Sequence, residues 1–148
     1  MHSRIAGLLI AGLLLFVPAL QAQAARTFKT RLSPVPVAAY NPNVVGTGSV
    51  TATMTGSKLV INGTYEGLAS AATQARIFKS TKPGVRGDAI LDLKVSGGTS
   101  GTITGQFDLT PAQVQEVAAS RWYVQLHSEK APDGNLWGWL MPQQEKGR

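Results

Sequence analysis

The sequence predicts an all-β domain: an antiparallel β-sandwich or barrel with one short helix before the final hairpin. Short segments with alternating apolar and polar residues recur along the chain, which is typical of strands with one buried face. Glycine-containing turns separate these segments, as they do in sandwiches and barrels. The 16 glycines among 148 residues also argue against a helical bundle.

The N-terminal residues are typical of a secretory signal peptide. A basic start precedes an apolar run over residues 5–17, and Ala22-Gln23-Ala24 is a small-x-small cleavage site. The alternative is a membrane anchor, but an anchor needs about 20 apolar residues and this run is shorter. We therefore expect residues 1–24 to be removed, which leaves residues 25–148 as a single domain without a transmembrane segment.

Composition indicates where the mature domain works. It contains no cysteine, whereas small secreted animal domains often depend on disulfide bridges. We therefore expect a bacterial protein that is periplasmic or secreted. Export in turn argues against nucleic acid as a partner.

Five strands are predicted before the helix. In the first of them, Val50, Ala52 and Met54 alternate with polar residues. Ser33–Val45 contains three prolines and is predicted to be a loop or an irregular edge. The five predicted strands are Gly48–Met54, Lys58–Glu66, Gln74–Ser80, Ala89–Val95 and Thr102–Leu109.

The helix that follows is predicted from its first turn. Thr110 is the N-cap, and Pro111 occupies the first helical position, where its missing N–H costs nothing. Gln113 completes a capping box with Thr110. We expect the helix to end near Ser120.

A final hairpin is predicted from Arg121–His127 and Asn135–Met141, joined around Ala131. Antiparallel pairing about this turn places Tyr123 near Trp139, Gln125 near Trp137, and His127 near Asn135. Alternation then gives the hairpin one core face and one outer face. The predicted core face consists of Trp122, Val124, Leu126, Leu136, Gly138 and Leu140.

The outer face of this hairpin is the candidate binding site. It carries Tyr123, Gln125, His127, Trp137 and Trp139. Exposed aromatic rings beside amide and imidazole groups can stack on a sugar or anchor a protein partner. The alternative is that the preceding proline-containing loop folds over these side chains and buries them.

The charges suggest a second candidate surface. Without Arg4 the mature chain has 13 Lys and Arg against 8 Asp and Glu, a net charge of +5. Four cations lie close together in the sequence, and such a patch can attract anionic lipid, lipopolysaccharide or an acidic protein. A solvated face that favours solubility is the alternative. The four cations are Arg76, Lys79, Lys82 and Arg86.

Residue types suited to catalysis or metal binding are sparse. The mature chain has one histidine, His127, whereas transition-metal sites usually use three or four protein ligands. His127 and Ser128 are neighbours on a strand, so they point to opposite faces and cannot act on one substrate. No glycine-rich phosphate loop precedes the helix. We therefore expect no catalytic residue, no metal and no cofactor.

Several motifs occur in the order found in a known family. Its patterns L-T-x-x-Q, Y-V-N-I-H-T and N-P-G-G-E-I-R-G-x-L are matched, the last two more loosely, by Leu109–Gln113, Tyr123–Ser128 and Ala131–Leu140. Its G-T-G and Y-x-G-L are matched by Gly46-Thr47-Gly48 and Tyr65–Leu68. From about Phe28 to Leu140 the chain thus resembles a CHRD domain, the module named for chordin and present in many bacterial exported proteins.

The resemblance implies an exported, non-catalytic module that binds a protein or an envelope component. One departure bears on chemistry: Arg76-Ile77-Phe78-Lys79 replaces the family's H-I-H-G. An H-x-H pair on a strand has metal-ligand spacing, and both histidines are missing here. This disfavours the alternative, a metal-binding or enzymatic protein with a sandwich like that of Cu/Zn superoxide dismutase.

Overall fold

The all-β prediction is confirmed by the computed structural model, which describes residues 23–144. The predicted signal peptide lies outside the described residues, apart from Gln23 and Ala24. Each predicted strand is present; Lys58–Glu66 has the predicted bounds, and the others have ends shifted by up to four residues. In chain order the elements are β1 Arg26–Pro34, β2 Thr47–Thr55, β3 Lys58–Glu66, β4 Ala72–Lys79, β5 Asp88–Val95, β6 Gly101–Asp108, α1 Pro111–Ala118, β7 Trp122–Ser128, β8 Ala131–Trp139 and β9 Met141–Pro142.

The strands form a closed antiparallel barrel. Neighbours follow the order β2-β3-β6-β5-β4-β7-β8-β1, and β1 pairs in turn with β2. Most of β1 lies against β2, while Ser33 and Pro34 reach β8. The two-residue β9 extends the wall beside Phe28 and Lys29. Because β1 pairs on both sides, the architecture is the barrel rather than the sandwich.

β1 is a long strand that the sequence-based prediction did not include. Its inward-facing positions are Phe28, Thr30 and Leu32, so a polar residue interrupts the apolar alternation. Opposite it, Gly138 leaves room for the crossing chain: a Cβ there would lie 2.6 Å from the carbonyl oxygen of Arg31. The close approach of β1 to β8 therefore depends on this glycine.

The barrel interior is filled by side chains from every wall. The predicted core face of the final hairpin is confirmed, since its five side chains are fully buried. The predicted register is confirmed for Tyr123 opposite Trp139 and Gln125 opposite Trp137. The fully buried hairpin side chains are Trp122, Val124, Leu126, Leu136 and Leu140.

The register prediction is wrong at the end of the hairpin. After Leu126 pairs with Leu136, the next pair is Ser128 with Ala131, so β8 begins earlier than predicted and bulges between these pairs. His127 is therefore not paired with Asn135. Alternation along β7 contains no information about extra residues on its partner, and for this reason the bulge was not predicted.

The helix begins as predicted and ends two residues early. Thr110 Oγ1 accepts a hydrogen bond from the Gln113 backbone N–H (3.2 Å), and Gln113 Oε1 accepts one from the Thr110 N–H (2.9 Å). Val117 is fully buried in the barrel core. Within residues 23–144 no helix is long and apolar enough to span a membrane.

Candidate functional site

The predicted outer face of the hairpin is assembled as expected and extends onto β4. Tyr123 stacks on Trp139 with ring centroids 4.5 Å apart, and Trp137 meets Trp139 edge-on at 4.6 Å. Phe78, opposite Tyr123 on β4, stacks on it at 5.1 Å. We call Phe78, Tyr123, Trp137 and Trp139 the aromatic cluster. Their stacked and edge-on contacts are those that aromatic rings prefer.

Phe78 was missed by the sequence analysis. The alternation used for the hairpin also applies to β4, where Ala75 and Ile77 face the core and Arg76 and Phe78 face outward. Phe78 stands in the segment that replaces the family's H-I-H-G. One outward position of that segment has thus become part of an aromatic surface.

Members of the candidate site differ in accessibility. Tyr123 is only 1% exposed and Gln125 only 3%. Trp137, Trp139 and His127 are half-buried. A ligand that approaches from solvent would therefore meet the two tryptophans and the histidine first, and Tyr123 and Gln125 support them from beneath.

Tyr123 is buried because two loops cover this face. The β4–β5 loop (residues 80–87) donates the Gly87 backbone N–H to Tyr123 Oη at 3.1 Å. The β1–β2 loop (residues 35–46) places Val35 and Val44 in a small apolar cluster against Trp137. The alternative in which the proline-containing loop folds over the site thus applies in part. The second covering loop was not predicted.

Arg86 joins the two loops. Its guanidinium lies 5.3 Å from the centre of the Trp137 ring, and Nη2 donates a hydrogen bond to the Pro36 carbonyl at 3.3 Å. Beside it, a groove of about 440 Å³ runs between the β1–β2 loop and the β8 bulge. Val35 and Val44 contribute apolar walls, and Lys130 adds a second cation to the rim.

Polar side chains of β7 hold the β8 bulge. Gln125 Nε2 donates to the Asp133 carbonyl at 3.2 Å, and Asn135 Nδ2 donates to Ser128 Oγ at 2.9 Å. His127 Nδ1 lies 2.8 Å from the Pro132 carbonyl and its Nε2 lies 3.4 Å from Gln125 Nε2. In this arrangement Nδ1 can donate to the Pro132 carbonyl, and Nε2 can then accept a hydrogen bond from Gln125 Nε2.

Three buried polar side-chain atoms in this region have no hydrogen-bond partner among the residues that the structure describes. They are Gln125 Oε1, Asn135 Oδ1 and Trp139 Nε1. Unpaired buried polar atoms are uncommon, because each costs about 1–3 kcal/mol. The site thus has unused hydrogen-bonding capacity directly beneath its aromatic surface.

Two of the four predicted cations are paired with carboxylates. Arg76 Nε lies 2.6 Å from Asp92 Oδ1, and Lys79 Nζ lies 2.6 Å from Glu116 Oε1. Lys82 and Arg86 are exposed on the β4–β5 loop. The structure therefore places Arg86, and not the whole group, beside the aromatic cluster.

Within residues 23–144 no three or more His, Asp or Glu side chains lie close enough together to hold a metal ion.

Neither a curated protein nor a solved structure matches the chain. The model of the CHRD domain family matches residues 28–140, which is most of the sequence. The chain therefore belongs to the CHRD domain family.

Proposed function

We propose that this protein is an exported, non-catalytic binding module that uses the outer face of β4, β7 and β8. Membership in the CHRD family supports a binding role, since these domains are generally non-enzymatic and occur in extracellular or secreted proteins. The signal peptide expected at residues 1–24 supports a bacterial periplasmic or secreted location. The ligand on this proposal is a protein or an envelope component.

One observation carries the proposal: aromatic rings remain half-buried on the outside of a barrel whose core is already filled. Other parts of the outer wall carry polar side chains; Thr51, Asn62 and Thr104 lie side by side across β2, β3 and β6. Such polarity is usual for the solvated face of an antiparallel sheet. The half-exposed Trp137 and Trp139 depart from it, and tryptophan is a frequent anchor in interfaces.

The surroundings of the rings favour a partner with both apolar and anionic groups. The groove beside Trp137 offers apolar side chains, and its rim carries Arg86 and Lys130. Lys82 lies on the same loop as Arg86 and is exposed. Cations at the rim of an apolar site attract an anionic partner and fix its orientation.

Site-specific photocrosslinking of the mature domain in envelope extract tests this proposal. A photoreactive phenylalanine analogue at position 139 is expected to capture a discrete component, and the same analogue at Thr51 on β2 is not. Trp137→Ala should lower affinity for that component by about tenfold, as for an interface anchor, with the circular dichroism spectrum unchanged. Equal capture at both positions would contradict the proposal.

A further inference from the structure

The β1–β2 loop carries an uninterrupted run of exposed apolar residues. Every residue from Pro36 to Tyr40 is exposed to solvent, with Tyr40 at 90% and Val37 at 48%. The run reads Pro-Val-Ala-Ala-Tyr, so the Tyr40 hydroxyl is its one polar side-chain group. Globular domains avoid several consecutive exposed apolar residues unless these residues make a contact. The run therefore marks a candidate interaction surface.

The β4–β5 loop places a second apolar tip beside this run. Val85 is 38% exposed, and the next residue, Arg86, donates its hydrogen bond to the Pro36 carbonyl. Within residues 23–144 four large apolar side chains are exposed, and three of them belong to these two loops. We call residues 36–40 together with residues 82–86 the loop tips. The three side chains are Val37, Tyr40 and Val85, and the fourth is Met141 on β9.

The charged residues of the two loops are both cations. Neither residues 35–46 nor residues 80–87 include an acidic residue, and Lys82 and Arg86 are exposed. Arg86 contacts the Trp137 ring and the Pro36 carbonyl. Because neither of these partners is anionic, the positive charge of Arg86 is not neutralised by them. The loop tips therefore combine apolar side chains with two cations.

Acidic side chains lie near the loop tips but not on them. Asp88 begins β5 directly after the β4–β5 loop. Asp133 lies across the groove, on the same rim as Lys130, and Glu129 is the neighbour of Lys130 in sequence. These carboxylates offset part of the positive potential around the loops. Attraction of anions can therefore strengthen binding at the loop tips, but apolar contact must supply most of it.

A lipid membrane fits these features better than a folded protein does. Anchors of protein interfaces fill pockets and gain affinity from being held in one shape, whereas Tyr40 is almost fully surrounded by solvent. A fluid bilayer interface accepts apolar side chains without a fixed shape. Tyrosine is enriched at this interface, because its ring is apolar and its hydroxyl stays hydrated. Nearby Lys and Arg side chains are attracted to anionic lipid headgroups.

We propose that the loop tips dock the protein on the surface of a membrane that contains anionic phospholipid. Val37, Tyr40 and Val85 enter the boundary between headgroups and acyl chains, and Lys82 and Arg86 lie at the lipid phosphates. The backbone stays at headgroup level, where water reaches its N–H groups. This inference goes beyond the proposed function, since it does not depend on any ligand of the aromatic cluster.

Sedimentation with lipid vesicles tests the inference. Weak binding is expected to phosphatidylcholine vesicles, and binding about fivefold tighter or more when about one third of the lipid is phosphatidylglycerol. Val37→Ser with Tyr40→Ser should lower the partition coefficient on both vesicles by about tenfold, because less apolar surface enters the interface. Lys82→Gln should lower it by about fivefold on the anionic vesicles alone.

Two matched controls lie away from the loop tips. Met141→Ser removes the remaining large exposed apolar side chain, and Lys94→Gln removes an exposed cation at the opposite end of β5. Neither variant should change vesicle binding. If both weakened it as much as the loop variants do, binding would not be specific to the loop tips and the inference would be wrong.

A fluorescent label locates the contact directly. Because the chain has no cysteine, Ala39→Cys can carry one environment-sensitive fluorophore. On anionic vesicles its emission should shift to the blue and be quenched by nitroxide-bearing lipid. The same label on Asn62→Cys, exposed on β3, should not respond.

Three results would overturn the inference. They are absence of binding to anionic vesicles, unchanged binding in the Val37→Ser, Tyr40→Ser variant, and equal responses of the labels at positions 39 and 62. A blue shift at position 39 that grows with protein concentration without vesicles would show that a second copy covers the tips, and would also overturn it. Photocrosslinking at position 139 probes the aromatic cluster, so either experiment can fail without the other.

Discussion

At the scale of single residues, Glu116 links the helix to the barrel. Glu116 Oε2 accepts a hydrogen bond from the fully buried Trp122 indole N–H at 3.0 Å, and its other oxygen pairs with Lys79. The hydrogen bond from Lys79 is the main cause that lowers the pKa of Glu116, and the Trp122 N–H adds to it. Desolvation by burial acts in the opposite direction but is outweighed.

Replacing Glu116 and Lys79 in separate variants distinguishes the hydrogen bond to Trp122 from the ion pair with Lys79. Glu116→Ala should lower the free energy of unfolding by about 1–3 kcal/mol, because the buried Trp122 N–H loses its acceptor. Lys79→Ala should cost less than about 1 kcal/mol, since the Lys79 side chain is 47% exposed and its ion pair is screened by solvent. Urea denaturation at neutral pH measures both. Equal losses from the two variants would contradict this division.

The lowered pKa of Glu116 also predicts a dependence of stability on pH. Because this carboxyl has a lower pKa in the folded state than in the unfolded state, its charge stabilises the fold above its unfolded pKa. That contribution disappears as the pH falls through the folded pKa. Wild type should therefore exceed Glu116→Gln in stability at pH 7, and the difference should shrink below about pH 4. A constant difference down to pH 3 would argue against the assignment.

At the scale of elements, the short helix depends on its capping box. Thr110→Ala removes the side chain that accepts the Gln113 backbone N–H, and should cost about 1 kcal/mol of stability. Gln115 is exposed on the same helix and has no role in the cap, so Gln115→Ala is a matched control that should change stability little. Urea denaturation compares the two variants. A neutral Thr110→Ala would mean that tertiary packing alone holds the helix.

The contact that Arg86 makes between the two covering loops can also be tested. Arg86→Ala removes both the contact with Trp137 and the hydrogen bond to Pro36. We expect acrylamide to quench tryptophan fluorescence more strongly in this variant, with a stability loss of about 1 kcal/mol or less. Lys82→Ala, on the same loop, should leave quenching unchanged. Unchanged quenching in Arg86→Ala would show that the loops cover the rings without Arg86.

Local signals predicted some elements and missed others for identifiable reasons. Alternation in the final hairpin correctly predicted which side chains face the core, because that hairpin is regular up to Leu126. In β1 the alternation of apolar and polar residues is interrupted by Thr30, so the strand was not predicted. In β4 the alternation is intact and places Phe78 on the outer face, so the sequence contains the information needed to predict it. The covering loops were harder to foresee, since Arg86 meets Pro36 across 50 residues of sequence.

At the scale of the whole molecule, local patterns could not separate a barrel from a sandwich. Both architectures use short alternating strands with glycine turns. The difference lies in β1, which must pair with both β2 and β8. The incomplete pairing between β5 and β6 is equally invisible in the sequence, because both strands alternate normally.

The two sides of the barrel should therefore differ in local stability. β7 is buried on both faces, by the core within and by the covering loops outside, with only His127 half-exposed. On β5, Leu91 and Leu93 pack against the core, but Asp88 and Asp92 are exposed and the edge between them has no partner on β6. Amide protons deep in β7 should exchange only through global unfolding, whereas those on the free β5 edge should exchange through small local openings.

Native-state hydrogen exchange in increasing subdenaturing urea distinguishes these two routes. The opening free energy of β7 amides should fall with urea as steeply as that for global unfolding, because global unfolding exposes much surface. Amides on the free β5 edge should show lower opening free energies that scarcely depend on urea. The paired β2 and β3 amides provide an internal control. If β5 followed the same urea dependence as β7, β5 and β6 would be paired along their length in solution and the barrel wall would be continuous.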